Sequence, residues 1–384
     1  MLILAMVAPA LAQGDALVLR AFETPPPGQA MGVGPQGVRV RSPQGDVVVV
    51  GWDRVLHVPA SLQEAAAPFE QLAEDAWRAR VRLERGDLVL AEPLLQEAFD
   101  AARAQNGGLR GPTGLVVAEG LLRCRLGRNA SAAAIEPWLA WVDAAIVRQP
   151  RTTFAHRDWA RQAGLREVID PATELSPMLP PMWLPSPSLR LVPQLEGIEG
   201  ERNKASALRR LYQAAARHEL GERVVELPEV PREAGSELVR DIVAARVLDE
   251  SARASARARL EAGLASAESG WKVAWITAAL GRSLVLESSE ELRLRGVAEL
   301  LRVHVLHRER SPDLADIALA EAAAALDDLG QHEAARGLAT ELARLGPQSP
   351  VLSWPPVARL LDPSTAVAPP TPASDPSATD GGPS

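Results

Sequence analysis

Between positions 312 and 347, apolar residues recur at three- and four-residue spacing in two successive runs. The first run contains Ile317 and Leu326 and ends at Gly330, and the second contains Leu338 and Leu345 and ends before a Gly-Pro pair. This spacing places apolar side chains on one face of a helix, while Gly and Gly-Pro are signals that end helices. The pattern therefore predicts two helices joined by a tight turn.

Small residues occupy the points where the two predicted helices would approach most closely, Ala323 in the first and Ala335 in the second. Only small side chains fit at such a contact. Comparable residues recur in 75–105 and 115–147, and part of another set precedes the C-terminal pair. The predicted packing and turn positions are Ala79, Gly86, Ala91, Gly120, Gly127, Ala132, Gly281, Ala323, Gly330 and Ala335. Among these, Gly86, Gly127 and Gly330 are the predicted turn glycines.

A small residue in each helix, a Gly at the turn and a Pro after the second helix together resemble the tetratricopeptide repeat. Equivalent positions are farther apart than the roughly 34 residues of that repeat. The interval is 120 − 79 = 41 residues from Ala79 to Gly120, and 323 − 281 = 42 from Gly281 to Ala323. The resemblance implies degenerate, elongated helical hairpin repeats that stack as an α-solenoid. The alternative is an irregular helical bundle in which alanines imitate the pattern.

Residues 14–60 show the two-residue alternation of β-strands instead of helical spacing. A hairpin turn is predicted at 42–45, where Ser, Pro and Gly cluster. The predicted strands are Ala16–Phe22, Gln29–Gly34, Gly37–Arg41, Asp46–Val50 and Arg54–Val58. So many short strands in so few residues suggest either a small SH3-like barrel or a sheet that leans on the first helices.

The chain is therefore predicted to be mainly α, with a small N-terminal all-β module at 14–60. Helical repeat blocks are predicted at 61–170 and 197–361, with helical patterns in the first block continuing to about residue 165. Residues 171–196 contain too many prolines for a helix or a central strand, yet too many apolar residues for a free linker. We expect this connector to pack on the helices. Residues 362–384, rich in Pro, Ser and Ala, are expected to be a disordered tail.

Residues 1–12 form an apolar run that ends in Ala-Leu-Ala, which matches the small residues read by signal peptidase, although no basic residue precedes the run. The run is shorter than the roughly 20 residues that span a bilayer, and no later stretch reaches that length. We therefore expect export to the periplasm or exterior of a bacterium and no membrane span. Cys124 is the only cysteine, which excludes an internal disulfide and favours a core position.

The composition is 47% hydrophobic and 23% charged, which is ordinary for a folded protein. A formal net charge of −8 argues against a dedicated nucleic-acid binder, because phosphate recognition needs a basic surface. Acidic residues flank the stretch that contains Arg78, Arg80 and Arg82, so we interpret these arginines as part of a solvated helix face. We accordingly predict no nucleic-acid partner.

The sequence contains no phosphate-binding glycine loop, nucleophile elbow or zinc-protease helix. His304 and His307 are spaced to share a metal on one helix face, but no further ligand stands at suitable spacing. We therefore predict no catalytic residues, no bound metal and no cofactor.

Two tryptophan pairs, Trp138 with Trp141 and Trp271 with Trp275, each lie on one face of a predicted helix. Such pairs usually pack in a core, and a ligand platform is the alternative. The predicted function is an exported, non-catalytic scaffold or adaptor for a protein or peptide partner, because stacked helix pairs offer extended binding surfaces. The alternative is a cell-envelope enzyme or carbohydrate-binding accessory protein with a groove of Trp and acidic residues.

Overall fold

Helices dominate the computed structural model, which describes residues 16–105, 107–145, 152–154, 159–197, 203–268 and 270–362. The predicted signal peptide and all but the first residue of the predicted tail lie outside these residues. The chain divides into two compact units, Met1–Ser283 and Leu284–Ser384. The small β region belongs to the first unit.

The β region contains two sheets in the part of the chain that the structure describes. The strands are Val18–Leu19 (β1), Gln29–Gly34 (β2), Gly37–Arg41 (β3), Val47–Val50 (β4), Val55–His57 (β5) and Thr152–Phe154 (β6). One sheet has the order β2-β3-β4-β6, and the other pairs β1 with β5. The hairpin between β3 and β4 turns at Gly45, whose φ of 89° lies in the left-handed region that favours glycine. The strands thus form two sheets instead of one closed barrel.

Strand β6 corrects the prediction that helix continues from residue 61 to about 165. It pairs in parallel with β4, with Val47 opposite Thr152 and Val49 opposite Phe154. Two β-branched threonines suit a strand, and the partner strand supplies the backbone hydrogen bonds that a helix would otherwise supply.

The helices of the first unit follow the strands, apart from β6, which lies between two of them. They are Gln63–Ala66 (α1), Glu70–Glu84 (α2), Leu88–Arg103 (α3), Pro112–Gly127 (α4), Ser131–Ala145 (α5), Trp159–Gln162 (α6), Asn203–Glu219 (α7), Ala234–Val247 (α8), Glu250–Ala265 (α9) and Gly270–Leu284 (α10). Helix α2 packs on α3, and α4 packs on both α3 and α5. Short connections make consecutive members of this series helical hairpins.

Turn residues differ between the first two hairpins. Gly86 joins α2 to α3 with a φ of +77°, as predicted for a turn glycine. In the second hairpin, the left-handed residue is Asn129, at φ 59°, whereas Gly127 is the last residue of α4. Gly127 instead permits a close approach, since a Cβ there would lie 2.5 Å from Leu88 Cδ1. Asn tolerates the left-handed conformation better than most residues, so it replaces Gly at this turn.

Small residues lie at the helix contacts of the first unit. A Cβ at Gly120 would lie only 2.8 Å from Leu83 Cδ1 and from Leu95 Cδ2. Among the other predicted positions, Ala79, Ala91, Ala132 and Gly281 are buried. One hydrophobic core joins α2, α3 and α4 to the β region, through side chains such as Val38, Val50 and Trp52. The β region is therefore packed on the first helices.

The proline-rich connector before α7 is held by side-chain donors from three helices. It has few backbone N–H groups but many carbonyls, and several of these carbonyls accept hydrogen bonds from α5, α7 and α10. The bonds run from Trp138 Nε1 to Glu174 O (3.0 Å), from Tyr212 Oη to Leu179 O (2.5 Å), from Trp275 Nε1 to Pro177 O (3.1 Å) and from Arg282 Nη2 to Trp183 O (2.8 Å). The connector thus packs on the helices of the first unit.

The second unit contains four further α-helices in its described residues: Glu290–His307 (α11), Pro312–Asp328 (α12), His332–Leu345 (α13) and Pro355–Leu361 (α14). Helix α12 packs against both α11 and α13. Gly330 turns the chain between α12 and α13 at φ +76°, and Ala323 and Ala335 are fully buried. The alanine-rich sequence of α12 lets neighbouring helices approach it closely.

Candidate functional site

A cavity of about 570 Å³ in the first unit gathers charged side chains from several separate segments. These segments are the chain after β1, the 3-10 turn Trp52–Arg54 before β5, helix α2 and helix α6. The lining residues are Glu23, Thr24, Arg54, Arg80, Glu84, Trp159 and Ala163. We call this space the α2–α6 cavity.

The 3-10 turn that carries Arg54 is fixed by its first residue. The backbone N–H of Trp52 donates to Thr113 Oγ1 at 2.9 Å, and its indole Nε1 donates to Gly34 O at 2.9 Å. The Trp52 ring also stacks on Phe69, with centroids 5.2 Å apart. Because strand, helix and turn are tied together here, Arg54 is held in a defined position.

An ion network at the cavity wall joins three of these segments: the chain after β1, the 3-10 turn and helix α2. Arg54 Nε donates to Glu23 Oε2 at 2.5 Å. Arg80 donates to Asp53 Oδ2 and Glu84 Oε1, both at 2.9 Å, and its Nη2 lies 3.5 Å from Glu23 Oε1. Asp53 is 1% exposed and Arg80 is 9% exposed. Breaking such a buried network by removing one partner typically costs about 3–5 kcal/mol.

Arg80 corrects the prediction that the arginines of this stretch lie on a solvated face. Arg78 is exposed, but Arg80 is buried in the network. Burial alone would lower the pKa of the Arg80 guanidinium, but the Asp53 and Glu84 carboxylates outweigh burial and raise it. Arg80 therefore remains charged. The described ion pairs of the network join the carboxylates of Glu23, Asp53 and Glu84 to the guanidinium groups of Arg54 and Arg80.

Trp159 lines the cavity, and its buried indole N–H lacks an acceptor in the part of the chain that the structure describes. The residue is 2% exposed, and its Nε1 is buried. A buried donor without a partner costs about 1–3 kcal/mol. The other buried tryptophans Trp52, Trp138 and Trp275 all donate to backbone carbonyls. Trp159 is thus the exception that calls for a structural or functional reason.

Glu84 retains hydrogen-bonding capacity toward the cavity. Its Oε1 accepts from Arg80, while its Oε2 has no partner among the described residues. The side chain is 33% exposed. A carboxylate oxygen can accept more than one hydrogen bond, so Glu84 can receive a donor from a bound molecule.

Beside the cavity, two residues without glycine's freedom adopt left-handed backbone conformations. Ala21 has φ 54° and Phe22 has φ 58°, and the Phe22 side chain is fully exposed. The flanking residues are both anchored: Arg20 Nε donates to Val55 O at 2.9 Å, and Glu23 is paired with Arg54 as above. Non-glycine residues in this region cost about 1–3 kcal/mol each and are characteristic of functional sites.

The predicted tryptophan platforms lie elsewhere in the first unit. Trp138 and Trp275 are fully buried, and Trp141 and Trp271 are half-buried. The Trp271 and Trp275 rings contact each other edge to face, with centroids 4.9 Å apart. Two of the four rings therefore have no free face for a ligand. The sequence alone does not single out Trp159, because the other residues that line the cavity are distant in sequence.

His304 and His307 lie on α11 of the second unit. His304 Nδ1 is 3.5 Å from Arg308 Nη1, and Nε2 of His307 is buried without a partner in the described chain. Burial lowers the pKa of both imidazoles. The nearby charge of Arg308 lowers the pKa of His304 further, and Arg310 does the same for His307. Within the described ranges, no cluster of three or more His, Cys, Asp or Glu residues is placed to hold a metal.

No helix among the described residues is long and apolar enough to cross a membrane. Comparisons with protein-family models, curated proteins and solved structures found no match for this chain. The geometry of the α2–α6 cavity is therefore the basis for a functional proposal.

Proposed function

We propose that this protein is an exported, non-catalytic adaptor that binds a segment of a partner protein at the α2–α6 cavity. The carrying observation is that cavity, which four separate segments of the first unit line with charged, hydroxyl and indole-bearing side chains. A bound segment can hydrogen-bond to the accessible polar groups of this lining, such as the Glu84 carboxylate, whose side chain is 33% exposed. Binding would then gain free energy at a position already shaped for it.

The size and rigidity of the cavity support a binding role. Its volume of about 570 Å³ falls within the roughly 300–1,000 Å³ of small-ligand sites. Its walls are fixed by the ion network around Arg80 and by the hydrogen bonds of Trp52. A wall that is ordered before binding loses little conformational entropy when the ligand arrives.

The scaffold is proposed to consist of degenerate tetratricopeptide-like repeats. Support comes from successive helical hairpins with left-handed turns at Gly86 and Gly330, and from the close helix contact at Gly120. Helix α2, which supplies Arg80 and Glu84, belongs to the first hairpin. Stacked hairpins of this kind commonly serve as binding surfaces.

A carbohydrate-binding accessory protein is the second candidate. The α2–α6 cavity brings together an indole, the carboxylates of Glu23 and Glu84 and the hydroxyl of Thr24. Hydroxyl-rich ligands could hydrogen-bond to these groups. The protein-segment proposal is preferred because Phe22, beside the cavity, offers a large exposed apolar surface, and such aromatic anchors are typical of protein interfaces.

Photo-crosslinking tests the proposal in the native cell. A photoreactive amino acid at Thr24, which lines the cavity, should form a discrete adduct with a protein, identified by mass spectrometry. The same probe at Ser255, exposed on α9 of the same unit, serves as the control. A glycan adduct at Thr24 would favour the second candidate, and equal adducts at both positions would refute a specific site.

Export is tested separately, by N-terminal sequencing of protein from the native cell. Cleavage by signal peptidase should give a mature chain that starts at Gln13. An intact Met1 on protein in the cytoplasm would contradict this part of the proposal and leave the cavity argument unchanged.

A further inference from the structure

We propose that the β region contains a second ligand site, in which Arg41 binds the carboxylate of a small amphiphilic molecule. The site is a cavity of about 710 Å³ formed by the start of β2, the β3–β4 hairpin and the 3-10 turn Ala60–Leu62. We call it the β2 cavity. It shares no lining residue with the α2–α6 cavity, so the inference is independent of the proposed function. The side chains that carry the argument are Gln29, Met31, Arg41, Ser42, Ser61 and Leu62.

Arg41 gives the β2 cavity its charge. Among the described residues it is the single charged group in the lining, and its guanidinium has no ion-pair or hydrogen-bond partner there. Asp46, in the same hairpin, does not line the cavity. The chain as a whole has a net charge of −8. A lining with one unpaired cation and, in the described chain, no carboxylate is therefore complementary to a single negative charge.

Neutral donors beside Arg41 favour a carboxylate. Gln29 lies directly opposite Arg41 in the β2–β3 pair, so both side chains project from one face of the sheet. Ser42 Oγ accepts from Asp46 N at 3.2 Å and can still donate its own hydrogen, and Ser61 adds a second hydroxyl. A guanidinium pairs with both oxygens of a carboxylate, which carries one negative charge. A phosphate monoester would bring nearly two charges to one cation.

Two irregularities of β2 shape the wall of the cavity. Gly28 has φ +139°, and a Cβ there would lie only 2.0 Å from Arg41 O, so glycine is needed for this close approach. Between Ala30 and Gly32 the register with β3 shifts, and this bulge leaves Met31 without a paired residue. Bulges redirect side chains and are frequent beside binding sites. Met31 lines the cavity and is 42% exposed.

Met31 and Leu62 supply the apolar part of the site. Leu62, at the end of the 3-10 turn, is half-buried and also lines the cavity. The flexible, polarizable side chain of Met adapts to apolar groups of different shape. A ligand with a carboxylate at one end and a hydrocarbon portion at the other would therefore contact Arg41 and these two side chains together.

Methionine-methyl NMR on the full mature chain tests the inference, with octanoate as the probe. From Gln13 onward the sequence contains three methionines, Met31, Met178 and Met182, so a ¹³C-methyl label gives three signals. Octanoate should shift the Met31 signal saturably, with a Kd of about 1 mM or tighter, and leave the other two unchanged. Octanamide, which is uncharged, should bind about tenfold more weakly, and octyl phosphate at pH 8 should also bind more weakly than octanoate.

Variants of two neighbouring arginines assign the contact. Arg41→Gln should weaken octanoate binding about tenfold or more, and Arg41→Lys, which keeps the charge but loses the planar fork, should give an intermediate Kd. Arg39→Gln is the matched control, because Arg39 lies on the same face of β3 and is exposed but does not line the cavity. It should bind octanoate like wild type. Both arginines are exposed, so the variants should fold, which unchanged Met178 and Met182 signals check.

Several results would overturn the inference. Equal affinity for octanamide, or full affinity in Arg41→Gln, would show that no carboxylate is bound at Arg41. An equal loss in Arg39→Gln would indicate general attraction to basic side chains, and tighter binding of octyl phosphate would exclude the carboxylate preference. Absence of a Met31 shift would refute the site itself. Crosslinking at Thr24 reports on the other cavity, so this inference and the adaptor proposal can fail separately.

Discussion

Gly120 offers the sharpest test of how the helical hairpins pack. An Ala at this position would place its Cβ 2.8 Å from both Leu83 Cδ1 and Leu95 Cδ2, closer than carbon atoms normally approach. Both leucines are at most 1% exposed, so neither can move into solvent. Gly263 in α9 is the matched control, because its nearest contact to a new Cβ would be 3.8 Å away.

The expected magnitude is a difference between two effects. Replacing Gly by Ala within a helix stabilises by about 1 kcal/mol, and overpacking a core costs about 1–3 kcal/mol. Gly120→Ala should therefore lower the free energy of unfolding by about 1 kcal/mol, a net of two opposed terms. Gly120→Leu adds three more carbons and should cost about 3 kcal/mol. Gly263→Ala has no clash and should stabilise by up to about 1 kcal/mol.

Urea unfolding followed by tryptophan fluorescence measures these differences, and thermal melts should shift by about 2–4 °C per kcal/mol. The decisive comparison is the sign of the two Gly→Ala changes, which should be opposite. If Gly120→Ala is as stable as Gly263→Ala, the leucines relax freely and the close contact of α4 with α2 and α3 is not what limits residue size there.

Four further predictions concern Cys124, Glu219, Trp138 and the two histidines of α11. Burial, with a neighbouring Glu carboxylate, raises the pKa of Cys124 to about 12, so the native thiol should resist a thiol reagent at pH 8 and react only after unfolding. Burial would raise the pKa of Glu219, but two guanidinium groups outweigh it and lower the pKa below the ordinary 4.5. Ionised Glu219 should therefore stabilise the fold fully above pH 4.5 and lose this effect as the pH falls through its folded pKa. In urea titrations, Glu219→Gln should lower the free energy of unfolding by about 3–5 kcal/mol at pH 7 and flatten this acid dependence. Trp138→Ala should cost about 3–5 kcal/mol in the same titrations. Replacing His304 and His307 together by Gln should leave metal content and melting temperature unchanged, and stoichiometric zinc lost with them would contradict this.

Local periodicity was sufficient to predict the elements whose pattern is complete within a few residues. Strands Gln29–Gly34 and Gly37–Arg41 begin and end as predicted, because alternation of side chains has a period of two residues. The hairpin turns at Gly86 and Gly330 were also predictable, since a left-handed turn favours glycine. These features depend on neighbours in sequence.

Features that depend on distant partners were not predictable in the same way. Strand β6 exists through pairing with β4, about a hundred residues earlier, and its own three residues carry little signal. Arg80 resembles a solvated helix residue until Glu23, 57 residues away, and Asp53, 27 residues away, are placed beside it. The candidate cavity is composed of such long-range contacts, so a single sequence does not reveal it.

The proline-rich connector changes how the first unit can be divided. By composition, 171–196 is where a chain would be cut to make fragments, lengthened with a tag or exchanged between homologues. Its carbonyls, however, are the acceptors for donors on α5, α7 and α10, which are far apart in sequence. Removing or shifting it would leave three helices with buried donors unmatched at once. The stretch that resembles a spacer is therefore one of the least replaceable parts of the unit.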